Sequence, residues 1–210
     1  MNRPLKPEPR WPVLLAVLAV GFLYLALPEA LSPGPSWLVL VIVTSLLIPT
    51  YITFRLGHMH LNRAFGITVV GVLTCALLWS LVALLAGLPS HRDAPLGLLK
   101  SAGSLWLSNI LIFATWYWRL DAGGPHSRDR RRAHVDGAFL FPQMLMRDAE
   151  ARAWRPGFVD YLFLAFNTST AFSPTDVAPL TQWAKSLMMV QSIISLTTLA
   201  VLAARAVNIL

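Results

Sequence analysis

Ala64-Phe-Gly-Ile-Thr-Val-Val-Gly-Val-Leu-Thr-Cys-Ala-Leu-Leu-Trp-Ser-Leu-Val-Ala-Leu-Leu-Ala-Gly-Leu88 is a run of 25 residues without a charged side chain. As an α-helix, rising about 1.5 Å per residue, it is long enough to cross the roughly 30 Å of a bilayer's hydrocarbon. A helix on a soluble protein has an apolar stripe and a polar back. This one is apolar all round, which calls for lipid. Working outward, Trp11–Ala30, Trp37–Phe54 and Leu98–Trp118 also meet the rule of about 20 predominantly apolar residues per span. A last long helix, Trp183–Leu210, carries only Lys185 and Arg205 as charges.

The composition agrees: 56% of the 210 residues are hydrophobic and 13% charged, against about 25% charged in soluble domains. The charges collect in short stretches between the apolar runs. The net charge of +7 therefore points to cytoplasmic loops and anionic headgroups, not to nucleic acid. Cys75 is the only cysteine, which excludes an intrachain disulfide and a paired-thiolate zinc site. Arg3, Lys6 and Arg10 precede the first apolar run as in a signal peptide, but the run exceeds the usual 7–15 residues of an h-region. It reads as a retained first helix.

The fold class expected is all-α, a polytopic transmembrane helix bundle of five or six spans. Residues 1–97 supply three of them. Residues 98–210 form a second module made of a helix, the polar segment 119–156, the stretch 157–181 and the last helix 183–210. Prolines and a glycine in Leu31–Ser36 break the chain into a helical hairpin, and Arg55–Arg63 and Pro89–Gly97 are further polar breaks. Inside the polar segment, Phe139-Leu-Phe-Pro-Gln143 is an apolar island suited to an interface. Thirteen Lys and Arg residues fall in the N-terminal tail, the Arg55–Arg63 break and the polar segment, against Arg92 and Lys100 on the other side. Because positive loops resist translocation, the N-terminus is expected in the cytoplasm.

Gly157–Thr181 is unlike the other apolar stretches. It is loaded with hydroxyls and broken by Pro174 and Pro179. Two readings stay open. In one, it is a re-entrant pore helix followed by non-helical backbone, which membranes tolerate only when it is buried in protein or lines a water-filled cavity. In the other, Gly157–Ser173 spans as a short helix and Pro174–Gln182 is an external turn.

Asp160-Tyr-Leu-Phe-Leu-Ala-Phe-Asn-Thr-Ser-Thr170, Asp176-Val-Ala-Pro-Leu-Thr181 and the final helix resemble the pore module of two-helix potassium channels. In those channels a pore helix leads into a Thr-x-Gly-Tyr-Gly-Asp filter, a Pro-x-Thr tail and an inner helix. Here Ser173 and Thr175 stand at the two glycine positions, Pro174 at the tyrosine and Ala171 at the threonine. Filter carbonyls converge through a backbone that glycine permits and β-branched threonine resists. A potassium-selective filter is therefore not expected. With Phe141-Pro142 and Asp160-Tyr161, the chain from about Ser108 onward is also similar to an uncharacterised family of bacterial inner-membrane proteins. That similarity implies an inner-membrane location and no activity.

The channel likeness implies a pore lined by Thr168, Ser169, Thr170, Ser173 and Thr175, with Asp176 at its mouth and Gln191, Ser195 and Thr198 along one face of the last helix. It implies a homo-oligomer, a tetramer by analogy, conducting an ion or polar solute. The competing expectation is a non-conducting scaffold that keeps the module, its hydroxyls bonding between helices. A pore loop entering from outside would put the polar segment outside as well, against the charge count. No enzyme motif, cofactor or metal site is expected. His58 and His60 have no completing ligands in sequence, and Asn167-Thr168-Ser169 fits a glycosylation sequon in an apolar setting. Arg128–Arg132 suits anionic lipid or a topology signal.

Overall fold

The computed structural model describes residues 8–87, 95–130, 137–146, 154–170 and 176–207. Seven helices occur among them: α1 Trp11–Leu25, α2 Leu38–Arg55, α3 Met59–Gly87, α4 Pro95–Leu120, α5 Pro125–Arg130, α6 Phe158–Thr170 and α7 Gln182–Val207. Among the described residues the only strands are the two-residue β1 Phe139–Leu140 and β2 Ala178–Pro179, which pair antiparallel with Phe139 opposite Pro179. The all-α class is as expected.

Against the expected five or six spans, three helices among the described residues are long and apolar enough to cross a membrane: α2, α3 and the Gln182–Ala204 part of α7. Their outer faces carry exposed Ile48, Ile52, Trp79, Val82, Ile193 and Leu196, as surfaces solvated by lipid do. α1 is apolar but has 15 residues. It stops short of the expected Ala30 because Pro28 follows, and Glu29–Leu31 forms a single 3-10 turn.

α4 is more polar because it lies inside the bundle. It packs against α1, α3, α6 and α7, and Ser101, Ser108, Asn109 and Thr115 are buried on it. A helix enclosed by other helices can carry groups that a lipid-facing helix cannot.

The polar break expected at Arg55–Arg63 shrinks to Leu56–His58. Gly57, at φ +74°, takes the left-handed conformation that ends α2. α3 then begins among the polar residues, and Asn62 reaches back to donate its amide to the Thr50 carbonyl at 2.6 Å.

The apolar island is a core element, not an interfacial one. Phe139 is fully buried and packs edge-on against Tyr117, Tyr161 and Trp183 at ring distances of 5.1, 6.3 and 5.9 Å. Tyr161 and Trp183 stand near the starts of α6 and α7, whereas Ser169 and Ser195, further along the two helices, are hydrogen-bonded to each other. The two helices therefore start at one end of the bundle and run the same way. α4 runs against them, with Asn109 bonded to Gln191 and Trp106 to Ser195. Ala178, paired with Leu140, lies back at the end at which α6 began. Glu8, the α2–α3 turn and α5 lie at that same end, as the contacts of Glu8 with Trp118 and Phe158 and of His126 with Asn62 require.

Candidate functional site

The last four carbonyls of a helix have no partner within it. In α6 two of these belong to Thr168 and Ser169, and side chains of α7 supply the missing donors. Ser195 Oγ donates to the Ser169 carbonyl at 2.7 Å and Ser192 Oγ to the Thr168 carbonyl at 3.4 Å. Gln191 Nε2 donates to the Ala165 carbonyl at 2.7 Å and to Ser169 Oγ at 2.8 Å. Its Oε1 accepts from the Tyr117 hydroxyl, and its backbone carbonyl accepts from Asn109 Nδ2 at 3.2 Å. Trp106 Nε1 donates to Ser195 Oγ at 3.1 Å. The result is a polar seam joining α4, α6 and α7, in which Gln191 is fully buried.

The residues singled out from the sequence separate into four groups. Thr168, Ser169, Gln191 and Ser195 meet in the seam. Thr198 is buried beside it and bonds within its own helix, to the Ile194 and Ser195 carbonyls. Thr170 and Asp176 are exposed, and Thr170 Oγ1 donates back to the Phe166 carbonyl at 3.0 Å. Ser173 and Thr175, with Ala171 and Pro174, lie outside the described residues.

A second cluster, not recognised from the sequence, fixes where α6 begins. Glu8 Oε1 accepts from the Trp118 indole and from the Phe158 amide, both at 2.7 Å. A carboxylate suits this place because the first amides of a helix lack partners and carry partial positive charge. Glu8 Oε2 also meets Arg128 at 3.4 Å and Arg10 at 3.3 Å, and Arg10 is ion-paired with Asp129. Burial holds the Arg10 guanidinium below its ordinary value despite Asp129 and Glu8 beside it. Arg128, read from sequence as part of a basic run, is buried. It donates to the Trp118 and Asp121 carbonyls at 2.8 and 2.9 Å. It thereby caps the end of α4 and lies over the Tyr161 ring at 5.1 Å. Asp121 is fully buried, accepting from the Tyr161 hydroxyl at 2.6 Å and from the Ala138 amide.

His60 falls in the first turn of α3, exposed, and no group of three His, Cys, Asp or Glu among the described residues could hold a metal ion. The seam offers hydrogen-bonding groups and no free charge, so its chemistry is that of holding helices and capping backbone. No family model, curated protein or solved structure matches this chain.

Proposed function

We propose that the chain is a five-span membrane protein in which α1, α2, α3, α4 and α7 cross the bilayer and α6 is a re-entrant element. The observation that carries this is the parallel course of α6 and α7 from a common end. At 13 residues α6 rises about 20 Å, short of a full crossing, and the chain returns to its starting end before α7 begins. A chain that turns back within the membrane requires enclosing protein or a water-filled cavity. That is the shape of a pore loop, and it favours a conducting protein, assembled from several copies because one loop cannot enclose a path. The broken filter pattern at Ala171, Ser173, Pro174 and Thr175 argues against potassium selectivity.

In this reading the seam residues Thr168, Ser169, Gln191, Ser195 and Thr198 hold the wall, and the exposed Thr170 and Asp176 face the path. The loop enters from the basic end, which the positive-inside rule assigns to the cytoplasm along with the N-terminus. Loop entry and charge count then agree, and the conflict raised by an outside entry disappears. A bacterial inner membrane is the setting implied by the family likeness.

The second reading, a non-conducting scaffold, is favoured by one specific observation: the seam hydroxyls are bonded within the chain. Ion flux into liposomes separates the two. Purified protein should pass ions under a potassium, sodium or chloride gradient, and Asp176→Ala or Thr170→Ala should change the rate or the selectivity. Absence of flux in all three salts would leave the scaffold. Flux unchanged in both variants would remove these residues from the path.

A further inference from the structure

Between the α2–α3 turn and the end of α4 lies a cavity of about 170 Å³. His60, Arg63, Arg119, His126, Arg130 and Ser127 line it, and among the described residues no carboxylate does. Asp129, adjacent in sequence to Arg130, is occupied by Arg10. Arg119 is the centre of the site. Its Nε is buried without a hydrogen-bond partner, and among the described residues no carboxylate pairs with its guanidinium. The guanidinium lies flat against Gly66, where a Cβ would fall 1.8 Å from Nη1, and beside the Trp118 ring at 5.6 Å. A buried cation left without a counter-charge is strongly destabilising. Met59, His60 and Asn62 bring the first turn of the 29-residue α3 to the same cavity, adding the positive end of a helix.

A second, smaller cleft of about 50 Å³ shares Asn62, Arg119, Pro125 and His126 with the first. It continues between α1 and α2 along Val13, Leu14, Tyr51 and Phe54. Tyr51 and Phe54 are exposed on the outer surface, so the cleft opens where lipid would lie. A basic chamber at a helix end thus joins an apolar channel that leads to the outside.

We propose that the two cavities form one binding site for a phosphate ester carried on an acyl chain, the phosphate meeting Arg119, Arg63 and the start of α3, the chain lying between α1 and α2. Basic pockets between membrane helices take anionic lipid headgroups for the same reasons of charge and depth. The apolar cleft is what distinguishes a lipid from free phosphate as the source. The site is separate from the α6–α7 module and does not depend on conduction.

The test uses the full chain in a neutral detergent, following the thermal unfolding midpoint as phosphatidic acid, phosphatidylcholine or inorganic phosphate is added. A ligand that binds only the folded state raises that midpoint. Phosphatidic acid should raise it saturably, while the other two at equal concentration should not. Arg63→Gln, at an exposed rim position that tolerates the change, should weaken half-saturation by about tenfold, the effect of one charged hydrogen bond. Arg119→Gln should weaken it at least as much. Arg55→Gln, at the same end but outside both cavities, should leave it unchanged. Equal losses in the Arg55 and Arg63 variants would mean a diffuse charge effect and overturn the site. A full shift from inorganic phosphate would overturn the lipid assignment, and one from phosphatidylcholine would overturn the anionic headgroup.

Discussion

Gln191 of α7 donates its amide to the Ala165 carbonyl of α6 at 2.7 Å, binding two helices that run parallel from one end of the bundle. Because the same side chain also engages Ser169 and Tyr117, Gln191→Leu strands several buried polar groups at once. It should destabilise the protein by about 1–3 kcal/mol, read as a lowered unfolding midpoint in mild detergent. An unchanged midpoint would mean that the seam contributes nothing to stability.

Asp121 and Tyr161 should prove unequal partners. Tyr161→Phe removes one donor and leaves the Asp121 carboxylate with the Ala138 amide, a cost of about 1 kcal/mol. Asp121→Ala leaves a buried hydroxyl and a buried amide unpaired beside Arg128 and should cost about 3–5 kcal/mol. A double-mutant cycle gives their coupling; strictly additive effects would dissolve the proposed cluster into independent contacts.

Gly66→Ala should dislodge the Arg119 guanidinium, since the added Cβ has no room beside it. The stabilisation by phosphatidic acid should shrink. Gly71→Ala, one to two turns along the same helix and in open space, is the matched control and should be neutral or slightly stabilising. Equal responses to the lipid in the two variants would separate Arg119 from the ligand.

His126 supplies a pH signature. Its pKa is held below the ordinary histidine value, first by burial and then by the neighbouring Arg10, with Arg119 and Arg130 adding to the effect and Asp129 opposing it. Nε2 lies 3.0 Å from Asn62 Oδ1, and His60 and Arg63 share its cavity. As pH falls the unfolded chain takes up this proton before the folded one. Stability attributable to His126 is therefore present above the ordinary histidine value of about 6.5 and is lost below it. A bound anion favours the charged ring and should reverse the sign. Phosphatidylglycerol, whose phosphodiester keeps one negative charge over this range, should bind more tightly as pH falls, and His126→Gln should flatten the profile. A profile identical in the variant would assign the titration to another group.

The all-α class and most helix positions were legible because long uncharged runs such as Ala64–Leu88 suit helices apolar enough to cross a membrane. Boundaries among polar residues were not. Met59–Arg63 reads as loop by composition, yet Gly57 closes α2 so tightly that α3 starts almost at once. The spacing of Gln191, Ser195 and Thr198 identified a shared face, but spacing cannot say which neighbour that face meets, and the orphan carbonyls of α6 are invisible in side-chain patterns. α4 read as an ordinary span, although its buried serines and Asn109 suit a central helix. Arg128 was submerged in a basic run whose members look alike until one of them folds under α4.

Glu8 escaped notice because a lone acid in a basic tail has no local meaning; its partners Trp118 and Phe158 lie 110 and 150 residues away. Its position nonetheless constrains how the chain is inserted during synthesis. In the membrane reading proposed above, Glu8 is made before Phe158 and must stay on the side of the bilayer at which Phe158 arrives. A chain inserted with the tail on the wrong side would complete its helices but leave α6 without its carboxylate and Trp118 without its acceptor. In that reading the ion cluster closes only in molecules whose first and later segments have remained on the same side.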